Sequence, residues 1–240
     1  MIAANQSKRG NSLTRPRPAP AARPPARPAY PAYTRSERIA DGIVHVLGIT
    51  AALTGVAVLF AMIAKQLGWA TLTATGIYAG ALLLMLFASG CYHILAHTSA
   101  RPILRRIDHA AIYIKIAGTM TPLGVLLGTG FAYVVLALVW TLALLGALTK
   151  LMAARGRMTT GWLPYLVLGW AGMLLFIPLA GIISLLSLAL MLGGGVLYSV
   201  GIVFYRWESL RFANAIWHSF VLLASAAFFV GISTALAQAC

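Results

Sequence analysis

The chain has 240 residues, of which 60% are hydrophobic and only 9% charged, with a mean hydropathy of +0.87 and a formal net charge of +14. Soluble domains carry about 25% charged residues, so this composition excludes a soluble globular protein and indicates an integral membrane protein whose first partners are lipids. The basic excess does not signal nucleic-acid binding, because membrane topology accounts for it and no aromatic or folded binding module accompanies it.

In chain order, the first 36 residues come before any apolar run. They are rich in Pro, Ala and Arg, with seven of the 11 prolines between Pro16 and Pro31, and predict a disordered cationic tail separate from a membrane domain over 37–240. The tail lacks the continuous apolar stretch of a secretory signal and is expected to stay in the mature protein. Attraction to anionic headgroups, worth about 1 kcal/mol per basic residue near the surface, is one role for it. A solvated tail that only enforces topology is the other.

Seven apolar runs follow: Ile43 to Ala64, Leu72 to His97, Asp108 to Leu127, Phe131 to Thr149, Trp162 to Ala180, Ile182 to Phe204, and Ala213 to Ala237. Each suffices to cross a hydrocarbon core of roughly 30 Å, which takes about 20 helical residues. Runs of this length are about twice what a barrel strand needs, and lipid cannot satisfy an open backbone, so they are expected to be helices. The expected fold is all-α, a seven-helix transmembrane bundle. The fifth and sixth runs are nearly continuous, and a six-span reading stays open at their junction near Gly181.

Charge supplies the orientation. Lys8, Arg9, Arg15, Arg17, Arg23, Arg27, Arg35 and Arg38 precede the first run; Arg101, Arg105 and Arg106 lie in the second connection, Lys150, Arg155 and Arg157 in the fourth, and Arg206 and Arg211 in the sixth. Sixteen of the 18 basic residues therefore share one side. The opposite connections hold only Lys65, and Lys115 falls inside the third run. The positive-inside rule then places the N-terminus in the cytoplasm and, with seven spans, the C-terminus outside, as expected for a multi-pass protein of the plasma (inner) membrane. Cys91 lies in a span and Cys240 at the opposite side, so no disulfide is predicted.

The few polar residues gather on that same side. Glu37, Asp41 and His45 open the first run, Ser89, His93 and His97 close the second, Asp108 and His109 open the third, and Asn214 and His218 open the seventh. Polar groups within a membrane are costly and face the bundle interior, each other or a wet cavity, so a site is expected near the cytoplasmic face. Ser89 and His93, His93 and His97, and Asn214 and His218 are each four apart and share a helical face. Histidines converging from two helices beside a carboxylate suit zinc, whose catalytic sites use about three protein ligands and leave a position for water. Capping is an alternative for Asp108 and Asn214, which both stand where a helix is expected to start. Snorkelling is an alternative for Lys115, and interfacial hydrogen bonding for His45 and His109.

The segments Ser89-Gly-Cys-Tyr-His93, Arg105-Arg-Ile-Asp-His-Ala-Ala-Ile-Tyr113, Ala117-Gly-Thr-Met-Thr-Pro122 and Asn214-Ala-Ile-Trp-His218 resemble the signature blocks of the hemolysin III family, the bacterial branch of the progestin and adipoQ receptor superfamily. The resemblance runs from about Glu37 to the end. It implies seven helices, a cytoplasmic N-terminus and a zinc site near the cytoplasmic face, with His93 and His218 matching ligands and Asp108 and Ser89 matching the residues that hold a zinc-bound water. Asn214 stands where the family has another histidine ligand, and Lys115 where the family is usually apolar. An amide oxygen is a weaker zinc ligand than imidazole, so a weakened or metal-free site is one reading. Lys115 reaching back toward Asp108 would favour it, whereas His97 moving in as third ligand would restore a metal.

Two function classes follow. The first, suggested by the superfamily's similarity to alkaline ceramidases, is metal-dependent hydrolysis of a lipid-like amide or ester, with Asp108 and Ser89 as catalytic groups. The second is non-enzymatic: membrane homeostasis, sensing or a cytolysis-associated role. A transporter is disfavoured, because the polar residues sit at one face instead of the midplane. The Gly193-Gly-Gly195 run reads as close helix packing, since no Lys-Ser/Thr follows it.

Overall fold

The computed structural model describes residues 33–153, 161–207 and 209–238. Most of the expected cationic tail, together with Cys240, lies outside them. Among the described residues the chain is helical throughout, with α1 Arg35–Ile63, α2 Trp69–Ile94, α3 Arg101–Leu127, α4 Gly130–Met152, α5 Leu163–Gly172, a 3-10 turn Met173–Leu175, α6 Phe176–Leu179, α7 Leu185–Arg206 and α8 Ala213–Gln238. Six of these helices are long and apolar enough to cross a membrane, and Leu163–Leu179 forms a shorter apolar segment. Together they make the expected seven-helix bundle.

The starts of the helices reflect capping chemistry more than hydropathy. α1 begins eight residues before its apolar run because Thr34 and Glu37 close a capping box: Thr34 Oγ1 accepts from the Glu37 N–H at 3.3 Å, and Glu37 Oε2 accepts from the Thr34 N–H at 2.8 Å. α3 begins seven residues early, at Arg101 followed by Pro102, whose fixed φ and missing N–H suit a first turn. Asp108 consequently sits two turns inside α3 and is no cap. α3 ends at Gly128, whose φ of +63° is the left-handed conformation that glycine adopts without strain. The junction near Gly181 resolves into a turn between α6 and α7, and Ser184 caps α7 by accepting from the Ser187 N–H at 3.2 Å.

α3 is the axis of the bundle. It packs against α2, α4, α5 and α8, while α1 lies on the outside against α2 and α8. Gly118 of α3 lets α2 approach closely, since a β-carbon there would come within 2.6 Å of the Ala81 side chain. Gly194, the middle residue of the glycine run, admits the Phe228 ring of α8 in the same way, in line with the packing reading. Outward faces carry Leu47, Val58, Leu138, Leu145 and Val203, all exposed, as a lipid-facing surface requires. This antiparallel packing brings the start of α1, the end of α2 and the start of α8 to one end of the bundle, with the first half of α3 beside them.

Candidate metal centre

Asp41 and His45 are four apart on α1, so they present to one face, and that face turns inward: both are buried, as are Ser89 and His218. His45 is therefore buried and not at the interface, while keeping the bond to neighbouring backbone that its position in the chain suggests. Its Nδ1–H donates to the Asp41 main-chain carbonyl at 2.8 Å. Because a carbonyl only accepts, this bond fixes the tautomer and leaves Nε2 to take the Ser89 hydroxyl at 3.2 Å.

The Asp41 carboxylate is the hub. Oδ1 lies 2.6 Å from His218 Nδ1 on α8, and Oδ2 lies 3.3 Å from His93 Nδ1 on α2 and accepts from the Asn214 amide at 3.2 Å. Asn214 Nδ2 also meets His93 Nδ1 at 2.9 Å. The rings of His45, His93 and His218 sit against one another, with centroids 4.4 Å apart for His93 and His218 and 4.4 Å for His45 and His218. Three imidazoles, one carboxylate, an amide and a hydroxyl from three helices thus occupy one buried volume.

The sequence-predicted residues Ser89, His93, Asn214 and His218 all belong to this cluster. Asp108, buried on α3, pairs with His109 Nδ1 at 3.3 Å and lies within electrostatic reach of His93 and His218. His109 is anchored in turn by its own Nδ1 on the Arg105 carbonyl at 2.9 Å and by the Tyr165 hydroxyl on its carbonyl at 3.3 Å. His97 does not join. α2 ends at Ile94, the chain turns, and His97 is left exposed, so the His93–His97 helical pair is never formed. Lys115 does not reach back to Asp108. It is buried, donates to the Tyr198 hydroxyl on α7 and stands 4.3 Å from that ring, while Tyr198 bonds Ser225 of α8 at 2.6 Å.

Asp41 is the residue whose role the sequence reading missed. The available signal was its i, i+4 relation to His45 on an otherwise apolar helix, a pattern that also fits a helix start at the interface. In space, Asp41, His45 and His218 offer metal-type donor atoms that all lie within 4.8 Å of one another. Mixed nitrogen and carboxylate donors at such spacing fit a divalent transition metal. A small opening of about 20 Å³, lined by Glu37, Arg38, Asp41, His93, Asn214 and Phe212, borders the centre. Glu37 holds this rim by accepting the Phe212 N–H at 3.0 Å. Phe212 adopts a φ of +60°, a left-handed backbone unusual for a bulky residue.

Comparison with known proteins agrees with the signature blocks. A family described as Haemolysin-III related matches residues 33–229. The chain is similar to a protein named "Hemolysin-3 homolog" from Bacillus subtilis (strain 168), with 37% identity over 199 residues that span 82% of this chain and 93% of that protein. It is also similar to "Hemolysin-3" from Bacillus cereus, with 34% identity over 194 residues covering 80% and 89%. A match of this extent to chains of nearly the same length, together with the apolar helices described above, makes this protein a multi-pass member of the haemolysin-III-related family.

Proposed function

We propose that the protein is a metal-dependent hydrolase of a lipid amide or ester, sited at the cytoplasmic face of the plasma membrane. The observation that carries this reading is the convergence of Asp41, His93 and His218, with Asp41 and His93 lining a small opening beside them. Structural polar clusters have no need of such an opening, whereas a reacting headgroup does. Orientation rests on the sequence alone: sixteen of 18 basic residues precede the first run or fall in the alternate connections that the positive-inside rule assigns to the cytoplasm.

The donor set fits a divalent cation, with histidine nitrogens and a carboxylate drawn from α1, α2 and α8. When bound, such a cation would supply Lewis-acid polarisation of a carbonyl. The protein groups around it have separate tasks. Asp108, held against His109, accepts a proton. Ser89, whose own proton is committed to His45 Nε2, turns its oxygen lone pairs outward to orient a donor. The opening, about 20 Å³, is the size of a single water molecule, so the polar part of a lipid would reach the centre by widening this rim, with the acyl chains against the apolar outer faces of the helices.

One observation favours the second, non-catalytic reading: the Asn214 amide already bridges Asp41 and His93, so the cluster is hydrogen-bonded internally, as a purely structural or sensing core would be. Turnover decides between the two. Purified protein is screened against lipid amides and esters with Asp108→Ala and His218→Ala as controls. Losses of roughly 100- to 10,000-fold in both variants are expected for a proton acceptor and a metal ligand. Turnover that survives both changes removes the hydrolase mechanism.

A further inference from the structure

Asp41 is addressed from two sides. His218 Nδ1 from α8 meets Oδ1 at 2.6 Å, and His93 Nδ1 from α2 meets Oδ2 at 3.3 Å. Donor atoms around a tetrahedral cation with bonds of about 2.0–2.1 Å lie roughly 3.3 Å apart, so the His93 contact already has the length of a coordination edge. The 2.6 Å contact is a hydrogen bond, in which a cation would take the place of the shared proton.

Two other side chains in the cluster are poorly placed to complete a ligand set. His45 offers a donor atom within 4.8 Å of Asp41 and His218, but both of its ring nitrogens are engaged, Nδ1 by the Asp41 main-chain carbonyl and Nε2 by Ser89, whereas the contacts of His93 with Asn214 and Asp41 are at Nδ1. Asn214 turns its amide nitrogen, which carries no lone pair for a metal, toward Asp41 and His93. Charge points the same way. Two neutral imidazole ligands offset none of a dication's charge in a buried site at low dielectric, while one carboxylate ligand offsets half of it. Two histidines and one carboxylate with a fourth position open form one of the recurring catalytic zinc sets.

We infer that Asp41, from the first span, is the anionic third ligand of a divalent cation, with His93 and His218 as the other two, and that it replaces the donor Asn214 does not supply. This assignment rests on the metal-centre reading above and deepens it. His45 is then a positioning residue, which holds Ser89 and the turn of α1 that carries Asp41 without touching the metal. A histidine at position 214 would lie beside His93 and Asp41, close enough to serve as an alternative donor.

The test uses the full chain in detergent, loaded with zinc or cobalt alone, desalted and assayed for bound metal and for the visible absorption of four-coordinate cobalt. Wild type is expected to retain about one metal per chain. Asp41→Asn is expected to weaken zinc affinity by more than about 100-fold, beyond the 10- to 100-fold typical of losing an outer partner, and to lose the cobalt bands. Asp41→Asn combined with Asn214→His regains both signals, which separates loss of a ligand from loss of fold. His45→Gln keeps the metal. Zinc retained by Asp41→Asn, zinc lost from His45→Gln but kept by a His93→Ala variant, or a wild type that takes up no metal overturns the assignment. If metal follows Asp41 as described and no lipid amide or ester is turned over, the ligand set stands and the hydrolase reading falls. If lipids are turned over while Asp41→Asn binds zinc like wild type, the reverse holds.

Discussion

Two buried polar regions lie in this bundle, and they solve the cost of burial differently. At one end, the Asp41 carboxylate gathers His93, His218 and Asn214 around itself and an opening reaches it. Two turns deeper along the faces of α3 and α8, Lys115 is surrounded by neutral partners: the Tyr198 hydroxyl, the Tyr198 and Phe228 rings, and Ser225 through Tyr198. The first region concentrates donors of several chemical types around one acid. The second spreads a single amine over hydroxyls and ring faces, an arrangement that suits helix packing and offers no convergent set for a ligand. Burial alone therefore does not mark a site in a membrane bundle. Convergence on a shared atom beside an opening does.

Substitutions that break each region should separate them. Asp41→Ala removes the acceptor of three side chains at once and is expected to cost about 3–5 kcal/mol of stability, read as the largest fall in detergent thermal melting among these variants. Tyr198→Phe strips Lys115 of its hydroxyl acceptor and Ser225 of a partner, and should cost about 1–3 kcal/mol by the same assay. Lys115→Met, close in volume and without charge, should be neutral or mildly stabilising, within about 1.5 kcal/mol, and should leave lipid turnover unchanged. A loss of turnover in Lys115→Met would make the deeper region part of the site and erase the distinction. His97→Ala, at an exposed turn, is expected within about 0.5 kcal/mol of wild type with full metal content. Metal loss in that variant would show that the exposed turn closes over the centre.

Much of the fold was legible residue by residue. Seven apolar runs and close packing at the glycine run follow from length and small-residue placement, because lipid leaves the backbone few alternatives to helix; the break near Gly181 was left open by the sequence. Helix starts were less legible. Thr34, Glu37 and Pro102 extend α1 and α3 beyond their apolar cores, and hydropathy is blind to capping. That extension moved Asp108 from a terminus to a helix interior and removed the capping alternative for it.

The site was legible in membership and not in wiring. Ser89, His93, Asn214 and His218 stood out because polar side chains are rare in these spans and repeat every four residues. His97 followed the same spacing and stayed outside, since periodicity carries over only while the helix continues and α2 stops at Ile94. Lys115 shares a helical face with Asp108, yet its long side chain turned to Tyr198, a partner 83 residues away. Asp41 gave no local sign that its carboxylate would meet His218, 177 residues distant.

By itself, then, the amino-acid order determined that the chain forms a seven-helix membrane bundle and which four segments bring polar groups to one end. Those properties depend on local hydrophobicity, charge and helical period, all written in neighbouring residues. Only the tertiary structure decided that Asp41 is the hub, that His45 is committed to Ser89, and that Lys115 belongs to another layer. Each of those depends on how helices distant in the chain rotate against one another, and for α1 that includes close packing of Gly48 and Gly55 on Leu222 and Phe229 of α8 and of Gly90 of α2 on Ile49.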